Sequence, residues 1–156
     1  YADGQDLEAR EEMCLVSLYG GLALANSKLG AVHGLAAPLG GMYPAPHGAV
    51  CARLLPLVMR ANIHALRTRQ PTSRTLARYT DVARQLTRIP AAPAEYGIDY
   101  VERLCADLHI LPLGVFGLCV EDFPTLVLQA QRASSMQGNP IRLTDEELTG
   151  ILHAAI

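Results

Sequence analysis

What this chain lacks narrows it first. Of 13 basic side chains a single one, Lys28, is lysine, and the arginines are scattered, so there is no polybasic patch. With 15 acidic side chains the formal charge is −2. Nucleic-acid binding needs clustered excess positive charge, so no nucleic-acid partner is expected. The four cysteines, Cys14, Cys51, Cys105 and Cys119, include no C-x-x-C pair, which excludes a zinc knuckle or a thioredoxin-type motif. They read as buried free thiols of a reducing cytoplasm. No stretch reaches the roughly 18 uninterrupted apolar residues of a membrane span, and residues 1–10 are polar and acidic, unlike a signal peptide. A cytoplasmic protein with no membrane partner is therefore expected. The sequence has no G-x-G-x-x-G phosphate loop, no run of period-two alternation and no internal repeat. It starts at Tyr1 without an initiator Met and reads as a trimmed chain or an internal fragment.

What is there suits one all-α domain over residues 1–156. Half of the residues are apolar and 18% are charged, and a chain of this size buries roughly two-thirds of its unfolded surface. The first helix spans about residues 6–28, with Asp3 or Asp6 as cap, Glu8, Glu11 and Glu12 near the positive end of its dipole, and Gly30 after its end. Its small residues Gly20, Gly21, Ala23 and Ala25 invite a closely packed neighbour, so this helix reads as buried. A short helix over 31–38, a loop over 39–46 and a helix over 47–67, kinked by Pro56, follow. Residues 73–88 form an amphipathic helix with Leu76, Tyr79, Val82, Ala83 and Leu86 inward. A short helix over 99–108 comes next. Asp122 and Pro124 open another that ends near 134, and the capping box Thr144/Glu147 opens the last, to 155. The count is six or seven helices.

Five histidines are present, and two stand out. His33 begins a short apolar helix, in Gly30-Ala31-Val32-His33-Gly34. His47 stands where the proline-rich stretch Pro44-Ala45-Pro46 turns into a helix. Fourteen residues apart, they cannot share one helix face, but two helices joined by the intervening loop bring both imidazoles to one point. Imidazole suits iron, zinc and related metals. From spacing alone a hydrogen-bonded core histidine is the commoner case, and two histidines do not complete a catalytic site, which uses at least three protein ligands. His64, His109 and His153 read as surface or helix-end groups.

The run Gly30-Ala31-Val32-His33-Gly34-Leu35-Ala36-Ala37-Pro38-Leu39-Gly40-Gly41, then Pro46-His47-Gly48 and Leu54-Leu55-Pro56, resembles the signature of the iron-containing alcohol dehydrogenases. Asp122-Phe123-Pro124, Gly138-Asn139-Pro140 and the helix after Leu143-Thr144 resemble that family's C-terminus, and the resemblance covers essentially the whole chain. It implies a multi-helix domain like the C-terminal half of the dehydroquinate synthase-like and iron-dependent dehydrogenases.

In that family a divalent metal, Fe(II) or another such as Zn(II), works with NAD(P) on a small alcohol or aldehyde. By resemblance His33 and His47 match two metal ligands. The family's other two ligands, an aspartate and a histidine, and its nucleotide-binding domain lie before the position of Tyr1. Many relatives read His-x-x-x-His-Pro; here the second histidine is Ala37, whose methyl group cannot relay a proton. Leu39, Met42 and Tyr43 are the expected walls of a mainly apolar substrate pocket. The chain alone is expected to be inactive and to self-associate as a homo-oligomer. A non-catalytic helical remnant and a maleylacetate-reductase-like fragment are the alternative readings.

Overall fold

The computed structural model describes residues 1–156 and contains seven α-helices, no strand, and three short 3-10 turns. The helices are α1 (Leu7–Asn26), α2 (Ala31–Met42), α3 (His47–Arg69), α4 (Arg74–Thr87), α5 (Ala94–Asp107), α6 (Phe123–Arg132) and α7 (Asp145–Ala155). The 3-10 turns are Leu113–Phe116, Val120–Asp122 and Ser134–Gly138.

The main core lies where α2, α3, α6 and α7 meet. Leu35, Leu54, Leu66, Leu126, Leu148 and Leu152 are all buried there, and truncating any one to alanine costs about 2–5 kcal/mol. A smaller cluster, Met59, Ile63, Ala94, Ile98 and Val101, joins α3 to α5. By length and composition α3 could cross a bilayer, but half of its apolar window is buried within the domain; it is the core helix.

α7 is held against α3 at both ends. Arg69, in the last turn of α3, donates to both carboxylate oxygens of Glu147 at 3.0 and 2.9 Å. Arg53 donates to the carbonyls of Ala154 and Ala155 at 3.0 and 3.2 Å, satisfying acceptors that a helix C-terminus leaves free. Glu147 also completes the expected capping box, since Thr144 and Glu147 exchange side-chain and backbone hydrogen bonds. Asp6 caps α1 and Ser73 caps α4.

Several boundaries and faces differ from the sequence expectation. α2 continues through Pro38 to Met42. Proline costs the helix one hydrogen bond, but Leu39, just beyond it, is 2% exposed in the core and holds the extra turn in place. α5 starts at Ala94, not near residue 99, because Ala94, Gly97 and Ile98 are buried. At Gly97 a Cβ would lie 3.3 Å from Ala83 Cα, so the two helices approach at backbone distance. On α4, Val82 and Leu86 face outward, leaving Ala83 buried and Leu76 and Tyr79 partly so. The largest difference is α1, expected to be buried. None of its residues is, and Met13, Leu15, Val16, Leu18, Tyr19, Leu22 and Leu24 are all exposed. Its apolar side chains are spread around the helix, which is the composition of a helix that packs on more than one side; within these residues nothing covers it.

Candidate metal centre

α2 carries His33 in its first turn, and α3 begins at His47. The connection between them is only Tyr43 to Pro46, and Pro46, held at φ −59°, sets the entry to α3. The two imidazoles meet across this junction with ring centroids 5.5 Å apart and planes tilted by 53°. His33 is half-buried and His47 exposed. Burial, and secondarily the neighbouring His47, holds the His33 imidazole below its usual pKa, so it favours the neutral form that ligates metals.

A third group completes the cluster, and sequence reasoning passed over it. Cys51 lies one turn after His47 on the same face of α3, with its Sγ 3.5 Å from His47 Nε2. The donor atoms of His33, His47 and Cys51 all lie within 4.8 Å of one another. Its signal in the sequence is a histidine and a cysteine four apart at a helix start, a spacing that the absence of C-x-x-C pairs does not address. Burial pushes the Cys51 thiol up.

His33 and Cys51 line a cleft of about 470 Å³, walled mainly by Val32, Ala52, Leu55, Val58 and Met59. Leu39, Met42 and Tyr43, the expected pocket walls, are not part of it. Leu39 is buried in the main core, Met42 is 39% exposed, and Tyr43 packs on the core with its hydroxyl donating to Asp122 Oδ2. That contact also corrects the reading of Asp122 as a helix cap: its side chain makes no capping bond, because the same oxygen also accepts from Cys119 Sγ at 2.9 Å. Ala37 is exposed. His64 and His109 are exposed, and His153 stacks edge-on against Phe123 at 4.8 Å.

At the far end of the cleft a polar knot fixes the start of α2. Gly30, the residue before it, has no side chain to cap with; Asn139 does this from the other end of the chain, its Oδ1 accepting from Ala31 N at 3.0 Å. Asn139 Nδ2 in turn donates to Asn62 Oδ1 and to the Ile141 carbonyl, each at 2.7 Å. Asn62, 2% exposed, donates to Tyr79 Oη at 3.0 Å. Gly138 lets the backbone come this close: a Cβ there would sit 1.7 Å from the Leu29 carbonyl oxygen. The Gly138-Asn139 pair therefore acts on the helix that bears His33.

Known proteins resemble this chain along its whole length. The sequence model described as "Fe-containing alcohol dehydrogenase family, C-terminal" matches residues 1–156. Alcohol dehydrogenase 4 of Schizosaccharomyces pombe is 35% identical over 155 residues, which are 99% of this chain and 35% of that protein. Lactaldehyde reductase of Escherichia coli K12 is 35% identical over 156 residues, 96% of this chain and 38% of the enzyme. The chain thus spans well under half the length of these relatives. Among solved structures, that of a 1,3-propanediol oxidoreductase superposes with a TM-score of 0.86 at 32% identity, over 99% of this chain and 40% of the other. Matched along its whole length by that family's C-terminal part, the chain belongs to the Fe-containing alcohol dehydrogenase family.

Proposed function

We propose that this chain is the metal- and substrate-binding part of an NAD(P)-linked alcohol dehydrogenase or aldehyde reductase, with His33 and His47 holding a divalent metal, Fe(II) or an ion such as Zn(II). The observation that carries the reading is the convergence of the two imidazoles from separate helices at 5.5 Å. Each partner of the pair stands at a fixed helix start, His33 through distant Asn139 and His47 through the adjacent Pro46.

A divalent ion bound there supplies Lewis acidity toward an alcohol or carbonyl oxygen. The chain's own contribution is to present neutral nitrogen donors at fixed positions and to wall the adjoining cleft with apolar side chains, which limit water around a small alcohol or aldehyde. Ala37 offers no proton-carrying group, so proton transfer on that side falls to solvent. Every regular element here is helical, whereas the nicotinamide-binding fold implied by the family resemblance is α/β; these 156 residues by themselves are expected to show no turnover. The apolar surface of α1 supports a homo-oligomer, and the four free thiols support a reducing, cytoplasmic setting.

Calorimetric titration of the metal-free protein with Zn(II) and Fe(II) tests the reading. One ion per chain is expected for the wild type, and none for the combined His33→Ala and His47→Ala variant. Unchanged binding by that variant would show that the histidines are not the ligands.

A further inference from the structure

We propose that Cys51 is a third donor to the same ion, so that this chain offers two nitrogens and one sulfur and favours Zn(II) over Fe(II). The inference rests on the metal reading above and adds to it the identity of the third ligand and the preference that follows.

The geometry suits an ion shared by three donors of this chain. With a zinc–sulfur distance of about 2.3 Å and a zinc–nitrogen distance of about 2.0 Å at a tetrahedral angle, the two donors stand roughly 3.5 Å apart. Cys51 Sγ and His47 Nε2 are separated by 3.5 Å. His33 reaches the pair from the facing helix, with all three donors inside 4.8 Å. This is the single group of three or more His, Cys, Asp or Glu side chains in the structure gathered closely enough to hold an ion. Of the other three thiols, none of them buried as the sequence reading expected, Cys14 is exposed on α1, Cys105 donates to the Ala52 carbonyl and Cys119 to Asp122.

Chemistry sets the preference. The two neutral imidazoles of this chain bring no negative charge to a divalent ion. On coordination Cys51 loses its thiol proton to solvent and binds as thiolate, so one negative charge enters the site and one proton is released per ion. Thiolate is a soft ligand that selects zinc, and the order of divalent affinities already places Zn(II) above Fe(II). The rest of the ion's coordination sphere is left to a substrate oxygen and to the further ligands that the family resemblance implies.

Cobalt(II) as the probe separates this proposal from the reading beneath it. Titrated into the metal-free protein, it should give visible d–d bands together with a near-ultraviolet sulfur-to-cobalt charge-transfer band. Cys51→Ser should abolish the charge-transfer band, keep the d–d bands, and weaken binding by about tenfold or more, since even an outer-shell partner is worth that much. Cys51→Asp should restore affinity without the charge-transfer band, which shows that a lost donor and not a misfolded chain is responsible. In competition the wild type should prefer Zn(II) to Fe(II), with the gap narrowed in Cys51→Ser. Cobalt binding without a charge-transfer band in the wild type would overturn the proposal and leave the two-histidine reading intact. A charge-transfer band that survives Cys51→Ser would overturn it by placing the sulfur donor elsewhere, and no cobalt binding by the wild type would overturn both.

Discussion

The hydroxyl of Tyr43 donates to Asp122 Oδ2 and so ties the short turn between the two histidine-bearing helices to the start of α6. Tyr43 is pushed up to about 12 by its burial and by that carboxylate. Asp122 is held below the usual carboxylate range, first by the Cys119 thiol and then by Tyr43.

Because the folded state lowers the Asp122 pKa, its contribution to stability is present above the ordinary aspartate value, about 3.9, and is lost as pH falls through the folded value. Removing either donor should move Asp122 back up toward the ordinary value, Cys119→Ala more than Tyr43→Phe. Carboxyl-carbon NMR titration reads this directly. An Asp122 titration unchanged in both variants would mean that neither bond holds the carboxylate.

Asn139→Ala should destabilise the fold by about 2 kcal/mol or more in chemical denaturation, since it leaves the buried Asn62 carbonyl without its donor and the Ala31 N–H without its acceptor. Asn139→Asp retains the acceptor for Ala31 but cannot donate to Asn62 or Ile141, and should fall between. Equal stability of Asn139→Ala and wild type would remove the capping argument.

Gly138→Ala should be more harmful than an exposed glycine change such as Gly150→Ala. The added methyl meets the Leu29 carbonyl oxygen at 1.7 Å and Lys28 Cβ at 2.6 Å, whereas at Gly150 it meets nothing within 4 Å. Backbone must shift to accommodate it, which typically costs about 1–3 kcal/mol. Gly150→Ala in mid-α7 should instead gain up to about 1 kcal/mol. Paired thermal melts check the sign of each.

The exposed apolar side chains of α1 should make the 156-residue chain self-associate, as uncovered patches of this kind do. Light scattering at high micromolar concentration should show at least a dimer, and charged substitutions at Leu15, Leu18 and Leu22 should reduce it. A monomer at that concentration would count against the expectation.

What could be read from sequence was local. The Thr144–Glu147 capping box and the cap of α1, expected at Asp3 or Asp6 and made by Asp6, need only neighbours in the chain, and the structure has both. The pairing of His33 with His47 depended on one short connection between two helices, and it too is present. What failed depended on distance. Asp122 has every mark of a cap except that Tyr43, 79 residues earlier, competes for its oxygen. The first turn of α5 is helical because α4 buries it, which the prolines before it gave no reason to expect. The apolar content of α1 announces burial without saying against what. Asn139 offered no sign that it caps a helix 108 residues away.

That last bond sets an order of events. A chain emerges from its N-terminus, so His33, Cys51 and His47 are all made long before Asn139 exists. Contacts this far apart in sequence carry the largest loop-closure cost and form late. Until they form, the helix bearing His33 lacks the side-chain cap that Asn139 gives it. A C-terminally clipped product therefore keeps His33, His47 and Cys51 but loses the side chain that caps the helix bearing His33.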